Sequence, residues 1–336
     1  MSQAPLTVAV LGAGNWGTAL ADLAARAGHS VRLWMRNPAQ AEEIETKRTN
    51  AKAIPGYVVH ERIRATTSLE LAVRGADLVT VVIPTQSMRQ VARGLGEVLA
   101  PEQPVLHATK GLEIDTLRRV SEILREETCA RQIGVISGPN IAAEIAQGRP
   151  AGTLVASPFP RLVALGRRAF SSSRFRVFGG DDVLGVELAG ALKNVVALAA
   201  GMATQMELGE NAKALLITRG SAEIAGIARA MGARASTFAG LAGIGDLLVT
   251  CASPLSRNHR AGAALARGMT LEQAVASLGQ VAEGVHTAKA ARVLAARHGV
   301  EAPLLDRVHR VLYGGLAPAD ALKQLMRLPA GREVAG

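Results

Sequence analysis

At 336 residues the chain is long enough for about two domains. With 49% hydrophobic and 20% charged residues it is not a disordered chain, its glycines follow no period of a collagen-like repeat, and at 3% aromatics its core must be built from Ala, Val, Leu and Ile. The net charge of +10 calls for an anionic partner. Its arginines are scattered singly, with few aromatics to stack bases, so a phosphorylated small molecule is expected and nucleic acid is not.

In chain order, short β-branched runs predict strands at residues 6–11, 31–35, 77–83, 105–108, 133–136 and 153–156. Helical spacing lies between most of them, at 17–27, 39–48, 87–99 and 116–127. This alternation predicts a parallel sheet with helices on both faces, a Rossmann-like doubly wound α/β domain. The run from Asp77 to Ile83 is apolar at nearly every position, as a strand covered on both faces should be. A turn-rich break at Phe178-Gly179-Gly180-Asp181-Asp182 sets the boundary, giving domains 1–181 and 182–336. Beyond it no strand pattern remains. Helices are predicted at 183–203, 211–231, 260–267, 271–277, 287–298, 303–313 and 318–325, with Pro303 and Pro318 suited to first turns.

The first residues show no signal-peptide pattern. The apolar stretch 184–204 is interrupted by Glu187, Lys193 and Asn194, so it is not expected to span a membrane. Cys129 and Cys251 belong to no paired motif; two reduced thiols are expected, with neither a disulfide framework nor a metal site. The setting expected from these features is the cytoplasm. A symmetric dimer is the default for such a chain.

Gly12-Ala13-Gly14-Asn15-Trp16-Gly17 is a GxGxxG pattern directly after an apolar strand and before a helix. Gly12 would permit the tight turn, Gly14 the approach of a pyrophosphate, and Gly17 close helix–strand packing. The helix N-terminus would offer free N–H groups to the phosphates. The second strand ends Leu33-Trp34-Met35-Arg36-Asn37, without the acid that usually bonds an NAD ribose. Arg36 can pair a 2′-phosphate instead, so NADP is favoured over NAD. The alternative is a solvated arginine indifferent to that phosphate.

Lys110 follows a predicted strand, where ligands of open α/β sheets gather; the alternative is a loop lysine in solvent. Lys193 stands on an otherwise apolar helix; burial would lower its pKa and suit it to proton transfer, whereas snorkelling would take its head to water. Asn194 beside it can fix a neighbouring group or a substrate oxygen, or simply cap a local kink. Asp246, after a Gly-rich turn, can pair with a lysine or cap a helix. Ser256-Arg257-Asn258 offers a hydroxyl, a planar fork and an amide before a helix, either a phosphate cradle or a helix-start turn.

These segments resemble the bacterial type of NAD(P)-dependent glycerol-3-phosphate dehydrogenase. The resemblance runs through Gly12–Gly17, Thr109-Lys110-Gly111-Leu112-Glu113, Ser137-Gly138-Pro139, Glu187 to Val196, Leu216 to Gly220, Gly240 to Asp246, Ser256-Arg257-Asn258 and Val281-Ala282-Glu283-Gly284. It implies reduction of dihydroxyacetone phosphate to sn-glycerol 3-phosphate for phospholipid synthesis, with Lys193 as proton donor and acceptor. It also implies that Asn15, Trp16, Arg36, Ala142, Val281 and Glu283 line the cofactor. Lys110 and Arg257 would reach both cofactor and substrate. Gly138, Asn140, Asn194, Asp246, Ser256 and Asn258 would line the substrate. The sequence departs from the family at Asn140 (often Ser or Thr), at Ile141 (often aromatic), and at Met202-Ala203-Thr204-Gln205, which replaces an Asp-Gly turn and predicts a differently shaped loop. Reductases of 3-hydroxy acids or ketopantoate share the two-domain plan but do not call for both lysines and the cradle. A nucleotide-ratio sensor has no need of Lys193.

Overall fold

The computed structural model describes residues 4–278 and 282–329. It divides into two compact units, Met1–Gly190 with Ala233–Asp246, and Ala191–Gly232 with Leu247–Gly336.

The first unit carries an eight-stranded sheet of β1 (Thr7–Leu11), β2 (Ser30–Trp34), β3 (Ile63–Thr66), β4 (Leu78–Val81), β5 (Val105–His107), β6 (Ile133–Ser137), β7 (Ala151–Ala156) and β8 (Phe175–Gly180). Its order, β3-β2-β1-β4-β5-β6-β7-β8, is doubly wound with the reversal at β1 and β4. Helices α1 (Asn15–Arg26), α2 (Pro38–Lys47), α3 (Leu69–Val73), α4 (Thr85–Gly96), α5 (Val120–Glu127), α6 (Ala142–Ala146) and α7 (Pro160–Phe170) connect the strands. Two cores follow from the period of two along a strand. Val8 and Val10 pack on one face with Leu20, Leu33 and Phe170; Ala9 and Leu11 pack on the other with Val79, Met88 and Ile123.

The sheet departs from the all-parallel expectation at one joint. β6 and β7 pair antiparallel, with Ile136 opposite Val155. A parallel crossover needs a helix long enough to carry the chain back along the sheet, and α6 has five residues. Strands β3 and β8 carry no expectation from the sequence. Both are edges, and the arginines Arg64 and Arg176 interrupt their apolar pattern.

The remaining elements are α8 (Val183–Gln205), α9 (Gly209–Ala230), α10 (Ala235–Phe238), a π turn (Leu241–Gly245), α11 (Asp246–Ala252), α12 (Arg257–Ala266), α13 (Leu271–Ala276), α14 (Glu283–Arg297), α15 (Pro303–Tyr313) and α16 (Pro318–Met326). No strand follows Gly180 among the described residues. In the second unit α8 and α12 lie nearly backbone to backbone: a Cβ on Gly262 would stand 2.0 Å from the Leu198 carbonyl oxygen. By length and hydropathy Val183–Gln205 would pass as a membrane span, as would Ala235–Ala252, but 89% of the first is buried inside the fold and the second is kinked at Gly243. Residues 202–205, expected to form a differently shaped loop, instead complete the last turn of α8.

A buried carboxylate organises the other end of this unit. Glu223 on α9 accepts the backbone N–H groups of Leu304 (2.8 Å) and Leu305 (3.0 Å), the open first turn of α15. Burial pushes its carboxyl up to about 7, against the opposing pull of those two bonds and of Arg219 and Arg307.

Candidate active site

The first unit carries the glycine turn. Gly12, at φ +121, leaves β1 so close to β4 that a Cβ would sit 2.3 Å from the Val82 carbonyl oxygen. A Cβ on Gly17 would sit 1.8 Å from the Gly12 carbonyl oxygen, whereas one on Gly14 would meet nothing within 4 Å. Gly14 is the N-cap of α1, whose first turn has no acid and no side-chain cap. Its first-turn N–H groups are thus left without a side-chain cap, and Gly14 and Asn15 are exposed beside them. Trp16 and Ala142 pack in one small cluster with Ala19 and Ala53, and the Trp16 Nε1 is buried without a hydrogen-bond partner. Arg36, just past β2, is exposed and forms no ion pair among the described residues. An open glycine, uncapped N–H groups and a nearby cation fit a dinucleotide pyrophosphate and its adenosine end.

The turn has supports that the motif did not announce. Gln40 and Asn50 both donate to the Ala13 carbonyl oxygen (2.9 and 3.1 Å), and Asn50 also reaches the Thr18 hydroxyl (2.9 Å). No local spacing marks Asn50, because its partners lie 32 and 37 residues away.

Lys110 stands past the end of β5, as expected. Its Nζ donates to the Gly138 carbonyl (3.1 Å) and to Asp246 Oδ2 (2.6 Å). Asp246 is thus both the first residue of α11 and the partner of a lysine. Gly138, at φ +157, lies close against the Thr153 backbone, and Asn140 donates to the Thr153 hydroxyl (3.0 Å). The Asn140 Oδ1 and the Ser137 hydroxyl are buried with no hydrogen-bond partner, so this corner holds polar atoms aimed at nothing in the chain. The Lys110 loop is pinned on both sides. Thr109 donates to the Ile83 carbonyl (2.7 Å), Gln86 to the Leu112 carbonyl (2.9 Å), and Arg89 grips Glu113 with two 2.8 Å bonds. That fork holds the Glu113 carboxyl below its ordinary pKa.

The second unit carries the other lysine. Lys193 is 4% exposed, which removes the snorkelling alternative. Its Nζ donates to the Thr250 hydroxyl (2.5 Å) and lies 3.4 Å from Asn194 Oδ1. That same oxygen accepts from Asn258 Nδ2 (2.9 Å), and the Asn258 carbonyl accepts the Gly284 N–H (2.9 Å). The chain Lys193, Asn194, Asn258, Gly284 ties three helices together, and a Cβ on Gly284 would stand 2.5 Å from the Asn194 carbonyl oxygen. Ser256 caps α12 by accepting the His259 N–H (3.3 Å). Arg257 follows as a largely exposed residue; desolvation of its guanidinium pulls its pKa down, and the charge of Glu283 opposes that. Val281 lies outside the described residues.

The expected residues thus fall into three groups: the glycine turn with Trp16 and Ala142, the Lys110, Gly138 and Asp246 corner with Asn140 nearby, and the Lys193, Asn194 and Asn258 chain with Arg257. The model of the NAD-dependent glycerol-3-phosphate dehydrogenase N-terminus matches residues 7–162, and that of its C-terminus matches residues 182–323. The chain belongs to this family. A glycerol-3-phosphate dehydrogenase [NAD(P)+] of Saccharophagus degradans is 45% identical over 91% of the chain and 86% of its own length. One from Moorella thermoacetica is 43% identical over 98% of each. The crystal structure of the Coxiella burnetii glycerol-3-phosphate dehydrogenase superposes with a TM-score of 0.92 at 34% identity, covering 96% of this chain and 99% of that one. Family membership agrees with the resemblance drawn from the motifs.

Proposed function

We propose that the protein is a cytoplasmic glycerol-3-phosphate dehydrogenase that interconverts dihydroxyacetone phosphate and sn-glycerol 3-phosphate with NAD(P)H, feeding phospholipid synthesis. The observation that carries this reading is Lys193, a cation enclosed by protein and aimed by a 2.5 Å bond to Thr250. A buried ammonium is costly to desolvate, and groups kept at that cost cluster at functional sites. A bound nicotinamide supplies the hydride to the substrate carbonyl carbon. Lys193 gives its proton to the carbonyl oxygen as negative charge builds there, and takes it back in the reverse direction. Asn194, held by Asn258, keeps the ammonium oriented and offers its amide to a substrate oxygen. Lys110, with Asp246 and Gly138 fixing its Nζ, meets both cofactor and substrate. Ser256 and Arg257 hold the phosphate, Arg257 reaching the cofactor as well, and Asn140 adds its amide to the substrate side.

On the cofactor side the roles fall to Gly12, Gly14, Asn15, Trp16, Gly17, Ala142, Val281 and Glu283, with Arg36 favouring NADP. In this reading residues 1–181 bind the dinucleotide and residues 182–336 provide substrate contacts and proton transfer. A homodimer is part of the proposal, which sedimentation equilibrium tests.

The experiment follows NADPH and NADH oxidation with dihydroxyacetone phosphate. Wild type turns over, and Lys193→Ala loses about a hundredfold or more in kcat, as removal of a general acid does. Absence of turnover from protein that binds a dinucleotide, or full activity in Lys193→Ala, overturns the reading.

A further inference from the structure

Glu187 is a charged residue on an apolar helix that the proposed chemistry leaves unused. Its carboxylate is 5% exposed and accepts the Arg119 guanidinium (2.6 Å), the Ser121 hydroxyl (2.6 Å) and the Ser121 N–H (2.8 Å). His107 Nε2 lies 3.0 Å away, within ion-pair distance but without hydrogen-bond geometry. These partners come from two places: His107 ends β5, and Arg119 and Ser121 open α5. Desolvation pushes the carboxyl up, but the surroundings, His107 first and then Arg119 and Ser121, outweigh it and hold it at about 2.

Three residues on, along the same face of α8, stands Gly190. A Cβ there would sit 3.3 Å from Ser137 Oγ, 3.4 Å from Lys110 Cγ and 3.8 Å from Lys110 Cδ. The aliphatic stem of Lys110 therefore lies on the bare backbone of α8, one turn from the point where Glu187 ties that helix down. His107, a partner of Glu187, is three residues from Lys110 in the chain. One carboxylate thus bonds the helix floor beneath Lys110 to the start of α5 and sits at ion-pair distance from the end of the strand that delivers Lys110.

We propose that Glu187 is a positioning residue for Lys110: by tying α8 to the start of α5, beside the end of β5, it seats Gly190 under the Lys110 stem and fixes where the ammonium points. The inference rests on the reading above only in taking Lys110 to meet the substrate.

Two readouts test it. The first needs no cofactor or substrate: free protein is reductively methylated with formaldehyde and dimethylamine–borane, and modification of Lys110 is compared by mass spectrometry with that of the exposed Lys323. In Glu187→Gln the Lys110 to Lys323 ratio rises about tenfold, because the stem is no longer held. The second is kinetic. Glu187→Gln raises KM for dihydroxyacetone phosphate about tenfold and changes kcat less than about threefold. In a Lys110→Met background the same substitution leaves KM where Lys110→Met alone puts it.

An unchanged labelling ratio in folded Glu187→Gln overturns the proposal, as does an equal rise in KM with and without Lys110. If Glu187→Gln does not fold, Glu187→Asp takes its place in both arms. It shortens the reach of the carboxylate to Arg119 and Ser121, so the same shifts are expected. A wild-type KM in Lys110→Met overturns the substrate role of Lys110 instead, and the labelling ratio still decides whether Glu187 holds it.

Discussion

Replacing Gly14 and Gly17 in turn separates the part of the glycine pattern that folds the protein from the part that binds. Gly14 has φ −75 and ψ −176, a conformation alanine adopts freely, and a Cβ there meets nothing within 4 Å. Alanine is a poorer N-cap than glycine by a fraction of about 1 kcal/mol, but it stiffens the unfolded chain by about 0.4–1 kcal/mol. These effects oppose each other, so Gly14→Ala is expected to stay within about 0.5 kcal/mol of wild-type stability. Gly17 differs: its Cβ would lie 1.8 Å from one backbone atom of Gly12 and 2.9 Å from another, neither able to move without the turn. Overpacking of this kind costs about 1–3 kcal/mol or more. Urea unfolding and titration of intrinsic fluorescence with NADPH and NADH measure both quantities. Gly14→Ala should unfold like wild type yet bind dinucleotide at least about tenfold more weakly, a loss of about 1.4 kcal/mol. Gly17→Ala should lose stability and binding together. Wild-type affinity in Gly14→Ala would show that the open space above it is not where a pyrophosphate lies.

Two further predictions concern charge. Arg36→Ala should lower kcat/KM for NADPH about tenfold relative to NADH, the size of one exposed charge-assisted contact; an unchanged ratio removes Arg36 from cofactor choice. Glu223 has a folded pKa raised to about 7 from an ordinary 4.5, so the stability it contributes is fully present below 4.5 and is lost as pH rises through about 7. Between pH 5 and pH 8 that loss is about 2 to 3 kcal/mol, so Glu223→Gln should gain on wild type by this amount across the interval in urea unfolding; parallel pH curves would refute it.

Much of the first unit was legible because its elements are local. The runs of β1, β4, β5 and β6 are mostly apolar, since each is covered on both faces. The edges β3 and β8 were not legible, for the complementary reason: with one neighbour each they tolerate Arg64, Arg176 and glycines, and their apolar signal falls below that of a loop. The antiparallel return into β7 was hidden differently. It depends on the shortness of α6, and the sequence between residues 137 and 151 carries no sign of strand direction.

The site follows the same division. In a parallel sheet the carboxyl ends of the strands meet at one edge, so a reader who finds the strands has also found the residues that come next. Gly12 follows β1 and Lys110 lies just past β5, and both were visible from position; Gly138, which follows β6, was reached only through the family resemblance. Their supports were not. Asn50 reaches Ala13 across 37 residues, Arg89 reaches Glu113 across 24, and Glu187 reaches Ser121 across 66. Each sits on a helix or loop whose own pattern is satisfied without it. Glu187 and Lys193 share α8 and show the difference. Both were conspicuous as charges on an apolar helix, and chemistry alone suggested a use for the lysine. The use of the carboxylate appears only when His107, Arg119 and Gly190 are seen around it. A charge that serves a reaction can be recognised by its type, whereas a charge that serves a position is defined by partners that only the fold brings together.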